Sequence, residues 1–119
     1  NSVTGGGSAV TAVTTGKHEV PTAVLADART ASSGEAALLA FHGLDHARTF
    51  GTETAGYTSA NIAFSMPDGA EVMITVAGDR DRTGAEYFND PVIPDEATAV
   101  SADAAPAAAG EWLDTQGCR

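Results

Sequence analysis

Between the apolar run Val24-Leu25-Ala26 and the amphipathic run Ala36-Ala37-Leu38-Leu39-Ala40-Phe41 lies the stretch Thr30-Ala31-Ser32-Ser33-Gly34-Glu35. The first run has the short, continuous apolar pattern of a buried strand, predicted over residues 22–26. In the second, Leu38, Phe41 and Leu44 recur at i, i+3 and i+6, the spacing of one helical face. A strand that turns into a helix through small hydroxylated residues sets a side-chain oxygen at the helix N-terminus. The first N–H groups are free there and the macrodipole is positive. Such an oxygen suits either a helix cap or a nucleophile.

The rest of the chain predicts the surroundings of this turn. Residues 1–21 are rich in Gly, Ser and Thr and include Gly5-Gly6-Gly7. They read either as a loose arm or as a glycine-rich loop followed by a short helix from Ser8, whose N–H groups would hold an anion or oxyanion. Asp27-Ala28-Arg29 is a turn, and the helix opened at Ser33 is expected to reach about His46. A short strand follows at residues 48–51, then a polar loop at 52–58. Ile62, Phe64 and Met66 alternate with small or polar residues, Pro67-Asp68-Gly69 marks a turn, and Val72, Ile74 and Val76 alternate after it. This predicts a β-hairpin with one buried face. Gly78 to Tyr87 reads as turn, and the prolines at 91 and 94 keep residues 89–95 extended. An alanine-rich helix is expected from Asp103 to Gln116, with Pro106 in its first turn and Trp112 and Leu113 as anchors. The order is that of an α/β chain with one layer of helix on a sheet. It divides into residues 1–21, a core at 22–100, and a C-terminal helix or tail at 101–119.

Charge and composition exclude several functions. Acidic residues outnumber basic ones 16 to 6, for a net charge of −10. That surface repels phosphate backbones and anionic membranes, so no nucleic-acid partner is expected. No apolar run approaches the roughly 18 residues of a membrane span. The one cysteine, Cys118, has no internal partner, no Cys/His spacing suggests zinc, and no cofactor is expected. Few lysines with many Ala, Gly and Thr suit a secreted bacterial protein. The absence of a starting Met suggests a processed form or a fragment.

Five segments occur together in a familiar order. Thr30-Ala31-Ser32-Ser33-Gly34-Glu35-Ala36 resembles the nucleophile motif of the S41 peptidases, the C-terminal processing or tail-specific proteases. Phe50-Gly51-Thr52-Glu53-Thr54-Ala55-Gly56 resembles that family's Gly-Glu-x-Thr-x-Gly loop. Phe64-Ser65-Met66-Pro67-Asp68-Gly69-Ala70 resembles its hairpin. Asp81-Arg82-Thr83-Gly84 and Val92-Ile93-Pro94-Asp95 resemble its closing segments. The resemblance covers about residues 22–96. It implies a ClpP/crotonase-like α/β core with a strand–helix nucleophile turn and a β-hairpin, and a serine endopeptidase acting on protein or peptide substrates.

By motif position the resemblance makes Ser32 the nucleophile, with Ser33 able to cap the helix or to supply an oxyanion-hole N–H. Gly6 and Gly7 resemble the end of the family's other oxyanion segment. Many S41 members place a lysine base where this chain has Tyr57, 25 residues after Ser32. The only lysine, Lys17, matches no motif. The tricorn-like branch instead uses an upstream histidine and a later acid. His18 is the only upstream histidine, and Glu86 or Asp90 is the candidate acid. The base is then expected from a missing N-terminal segment or a second chain. Tyr57 fits a substrate contact or packing on its loop. The alternative function is a non-catalytic ligand- or peptide-binding module on the same fold.

Three other groups have plainer readings. His42 and His46 share a helical face at i, i+4 but lack the glutamate of a zinc-protease motif. Arg80, Asp81 and Arg82 fit a solvated turn with internal ion pairs better than a carboxylate receptor. Trp112 is most simply a tail anchor.

Overall fold

The computed structural model describes residues 2–5, 8–11 and 19–118. In chain order the elements are β1 (Ser2–Gly5), β2 (Ser8–Thr11), β3 (Thr22–Ala26), α1 (Ser33–Phe41), β4 (Ala47–Gly51), β5 (Ser59–Ser65), β6 (Glu71–Arg80), β7 (Glu86–Tyr87), β8 (Glu96–Ala97) and α2 (Ala104–Thr115). Strands β1 and β2 pair antiparallel, with Val3 opposite Val10. Ser8 therefore opens a strand and not the expected helix, in keeping with the β-branched Val10 and Thr11. Gly6, Gly7, Lys17 and His18 lie outside the described residues.

The centre of the fold is a parallel sheet in the order β3-β4-β8, with α1 as the crossover from β3 to β4. Register places Val24 beside Thr49, Leu25 beside Phe50 and Ala26 beside Gly51. Alternation then gives the sheet two distinct faces. Val24 and Ala26 pack with Leu38 and Leu39 of α1 and with Val92. On the other face Phe50, only 1% exposed, meets Trp112 of α2 with ring centroids 5.8 Å apart and planes tilted by 52°. Helices thus cover both faces, where a single helical layer was expected. The physical reason is the strand pattern: continuous apolar strands present hydrophobic side chains on both sides.

Helix α1 ends at Phe41, short of the expected His46. Gly43, at φ 74°, follows the C-cap His42 and takes the left-handed conformation that ends helices. The Arg82 guanidinium closes the helix end by donating to the carbonyl oxygens of Ala40 and His42. At the other end of the chain, α2 begins after Asp103 with Pro106 in its first turn, as expected.

The antiparallel hairpin β5–β6 forms in the expected place. Ile62 lies opposite Ile74 and Phe64 opposite Val72, with an irregularity between Ala60 and Asn61. Two expectations fail here. Strand β6 runs on through Gly78 to Arg80, so the turn is confined to Asp81–Gly84. The apolar face of the hairpin is not buried: Ile62, Phe64, Val72 and Ile74 are 42% to 48% exposed. Both helices already lie on the parallel sheet, and among the described residues no layer is left to cover the hairpin.

Candidate active site

The site is built where β3 gives way to α1. After Ala26 the chain turns tightly, with Thr30 N–H donating to Asp27 O at 2.8 Å and Asp27 N–H to Thr30 Oγ1 at 3.1 Å. Ser32 then takes φ 51° and ψ −113°, a backbone conformation that L-residues rarely adopt. An ordinary N-cap serine sits in the β region, and its hydroxyl oxygen accepts from an N–H of the first turn. The Ser32 hydroxyl faces the Glu35 N–H as in a capping box, but forms no cap hydrogen bond of normal geometry. Its side chain stays exposed. Ser33 is the first helical residue, and its N–H is one of the free donors of the helix start, bonded to no acceptor among the described residues.

Glu35 holds this turn in place. Its side chain is fully buried, yet its carboxylate accepts four hydrogen bonds. Oε2 accepts from Ser32 N–H at 2.7 Å and Tyr57 N–H at 2.8 Å. Oε1 accepts from Gly56 N–H at 2.7 Å and from the Thr54 hydroxyl. Burial opposes the charge, but these donors outweigh it and hold the carboxyl below the usual glutamate range. The carboxylate thus joins the Ser32 turn to the 54–57 loop. Gly56 must come close to make its bond: it sits at φ 82°, and a Cβ there would lie 3.2 Å from the Pro91 ring. Thr54 fixes the loop from behind, donating its N–H to Val92 O at 3.2 Å and accepting Val92 N–H at 2.9 Å. Ala55 N–H donates to Thr30 O at 2.9 Å, tying the loop to the turn a second time.

The arrangement is a strand–turn–helix that presents an exposed serine hydroxyl beside a free helix N–H. Residues 4–98 match peptidase family S41. The chain belongs to that family. It is 40% identical over 98 residues to the nisin-resistance protein of Lactococcus lactis subsp. lactis, a match covering 82% of this chain and 30% of that one. A solved lipoprotein from Streptococcus agalactiae aligns with a TM-score of 0.71 and 39% identity, over 84% of this chain and 33% of the other. The mature CPAF structure aligns at TM-score 0.52 and 22% identity, over 81% of this chain and 19% of that one, a likeness of fold. The S41 chain therefore spans about a third of the length of the first two. The expected α/β core of this family, with its strand–helix turn and hairpin, is the fold found.

The structure brings Ser32, Ser33 and Tyr57 together around Glu35. Tyr57 contributes its backbone N–H, while its side chain is 61% exposed. The two candidate acids lie elsewhere on the network. Glu86 is on β7, in an exposed ion pair with Arg80. The Asp90 main chain is held by the Thr58 hydroxyl, one residue past Tyr57, which donates to Asp90 O at 2.9 Å and accepts Asp90 N–H at 3.0 Å, and the Asp90 carboxylate accepts from Phe88 N–H at 3.0 Å. Neither carboxylate hydrogen-bonds Ser32. Of the described histidines, His42 is ten residues along from Ser32, about 15 Å at the helical rise. Both of its ring nitrogens face aspartates.

Sequence reasoning missed the role of Glu35, which it placed only in the first turn of the helix. The available signal was its place three residues after Ser32, the spacing of a capping box. It also missed Asp79, whose carboxyl is pushed up first by burial and then by the Glu35 charge. Nothing in the local pattern marks Asp79, because its neighbour in space is 44 residues away in sequence.

Proposed function

We propose that this chain is the nucleophile-bearing part of a serine peptidase, with Ser32 attacking the substrate carbonyl. The observation that supports it best is the positive φ of Ser32, a strained turn that holds an exposed hydroxyl at the helix start. A base removes the Ser32 proton as the oxygen attacks, and returns it to the leaving amine. The Ser33 N–H stabilises the oxyanion, and water then hydrolyses the acyl-enzyme. The base comes from a histidine outside the described residues, on another segment or a second chain. Asp90 is the better placed of the two acids to orient it, because Thr58 ties it to the site loop. Gly6 and Gly7 remain candidates for a second oxyanion donor. Protein or peptide substrates follow from the family, and the name of the lactococcal relative makes nisin the first to try. The streptococcal lipoprotein supports an extracytoplasmic location.

Fluorophosphonate labelling of the full-length protein tests the reading. The label should map to Ser32 and vanish in Ser32→Ala. No label on the folded wild type would overturn it.

A second reading is a binding module without catalysis. Tyr57 in the lysine position favours it, together with the absence of any side-chain base on Ser32 among the described residues. Equal peptide binding by wild type and Ser32→Ala, with no turnover by either, is its expected signature.

A further inference from the structure

The far end of α1 carries a second charged cluster. His42 Nδ1 lies 2.8 Å from Asp81 Oδ2, and Nε2 lies 3.4 Å from Asp95 Oδ1. The Asp81 side chain is fully buried. It accepts from the Thr83 hydroxyl at 2.6 Å, the Thr83 N–H at 2.8 Å, the Ala85 N–H at 3.1 Å and the Tyr87 hydroxyl at 3.3 Å. The Thr83 hydroxyl foremost, then His42 and the N–H groups of Ala85 and Thr83, hold its carboxyl well below the usual range against the effect of burial. Asp95 accepts from Thr49 N–H at 2.9 Å and from its hydroxyl at 2.7 Å. The groups facing His42 are thus Asp81, Arg82 and Tyr87 from the β6–β7 segment, and Asp95 from the approach to β8.

The cluster is connected to the serine turn. Asp95 lies three residues after Val92, which exchanges two hydrogen bonds with Thr54. Thr54 donates to Glu35, and Glu35 accepts the Ser32 N–H. Pro91, one residue earlier, abuts Gly56. Residues 91–95 therefore touch His42 at one end and the loop around Glu35 at the other.

An imidazolium donates from both nitrogens, whereas neutral imidazole donates from one and turns a lone pair to the other carboxylate. Loss of the proton releases the longer contact, at Asp95. We propose that His42 is a proton-operated clasp on residues 91–95. Protonated, it grips Asp95 and steadies the loop that supports Glu35 and Ser32; deprotonated, it lets that loop loosen. The device lies in the fold and does not depend on Ser32 being catalytic.

The test is nuclear magnetic resonance of the intact chain between about pH 5 and 8, where histidine changes charge. One transition should be shared by the His42 ring and the backbone amides of Asp95, Thr54, Gly56 and Tyr57. In His42→Asn that transition should vanish from all four amides. In Asp95→Asn the His42 ring should still titrate while the amides of Thr54, Gly56 and Tyr57 no longer follow it. A transition at Gly56 and Tyr57 that survives either substitution overturns the clasp, as does its absence from the wild type. Should His42→Asn not fold, the Asp95→Asn comparison decides alone.

Discussion

At the scale of single residues, Glu35 decides whether the serine turn exists. Its carboxylate is the shared acceptor for three backbone N–H groups and one hydroxyl from two segments. Glutamine at this position keeps the shape but puts an NH2 group where donors already converge. At least one buried donor is then left without an acceptor, at a cost of about 2–3 kcal/mol. The charge also sets a pH dependence. The folded carboxyl titrates below its unfolded value, which is about 4.3. Its contribution is therefore fully present above that value and is lost as pH falls through the lower folded one. Urea unfolding of wild type and Glu35→Gln should differ most near neutral pH and converge in acid. A difference that is constant from pH 7 to 3 would contradict this. Little of this was legible beforehand. A glutamate three residues after a serine is ordinary helix-start chemistry, and its other partners lie 19 to 22 residues on, outside any periodic pattern.

At the scale of elements, the sequence pattern reports well what a segment does alone and poorly what covers it. The β3–α1–β4 unit was legible because a short apolar run and an i, i+3, i+6 spacing are local signals. The end of α1 was not, because the apolar spacing continues to Leu44 although Gly43 already turns the chain. The place of α2 was also hidden: Trp112 is visible as an anchor, but its target Phe50 is 62 residues earlier. That contact is the main aromatic link between α2 and the sheet. Phe50→Ala should cost about 3–5 kcal/mol, as for other fully buried aromatics. Trp112 is the only tryptophan, so its emission reports the same contact directly. The variant should shift that emission to the red while leaving the signals of the Ser32 turn, on the opposite face, in place.

At the scale of the whole molecule, burial is divided unequally between the parallel sheet and the sheet built on the β5–β6 hairpin. The parallel sheet has α1 on one side and α2 on the other, and it holds Ala26, Phe50 and Val92 almost free of solvent. The hairpin has the stronger alternation in sequence but leaves its apolar side exposed. Alternation encodes a face able to be covered, and it carries no information about whether a cover is present. Only the two residues of β7 extend the hairpin, at Asp79 and Arg80, and so small a sheet without a cover is marginally stable. The same kind of apolar truncation should therefore cost different amounts in the two places. Val92→Ala removes packing from the Leu38–Leu39 cluster and should cost about 2 kcal/mol. The paired change Ile62→Thr with Ile74→Thr exposes little that is not already wet, and should stay within about 0.5 kcal/mol. Hydrogen exchange should agree, with the amides of β5 and β6 opening more readily than those of β3 and β4. If the paired change instead costs as much as Val92→Ala, then the hairpin face is covered in solution. The apolar side of β5–β6 would then be part of a core that extends past the described residues.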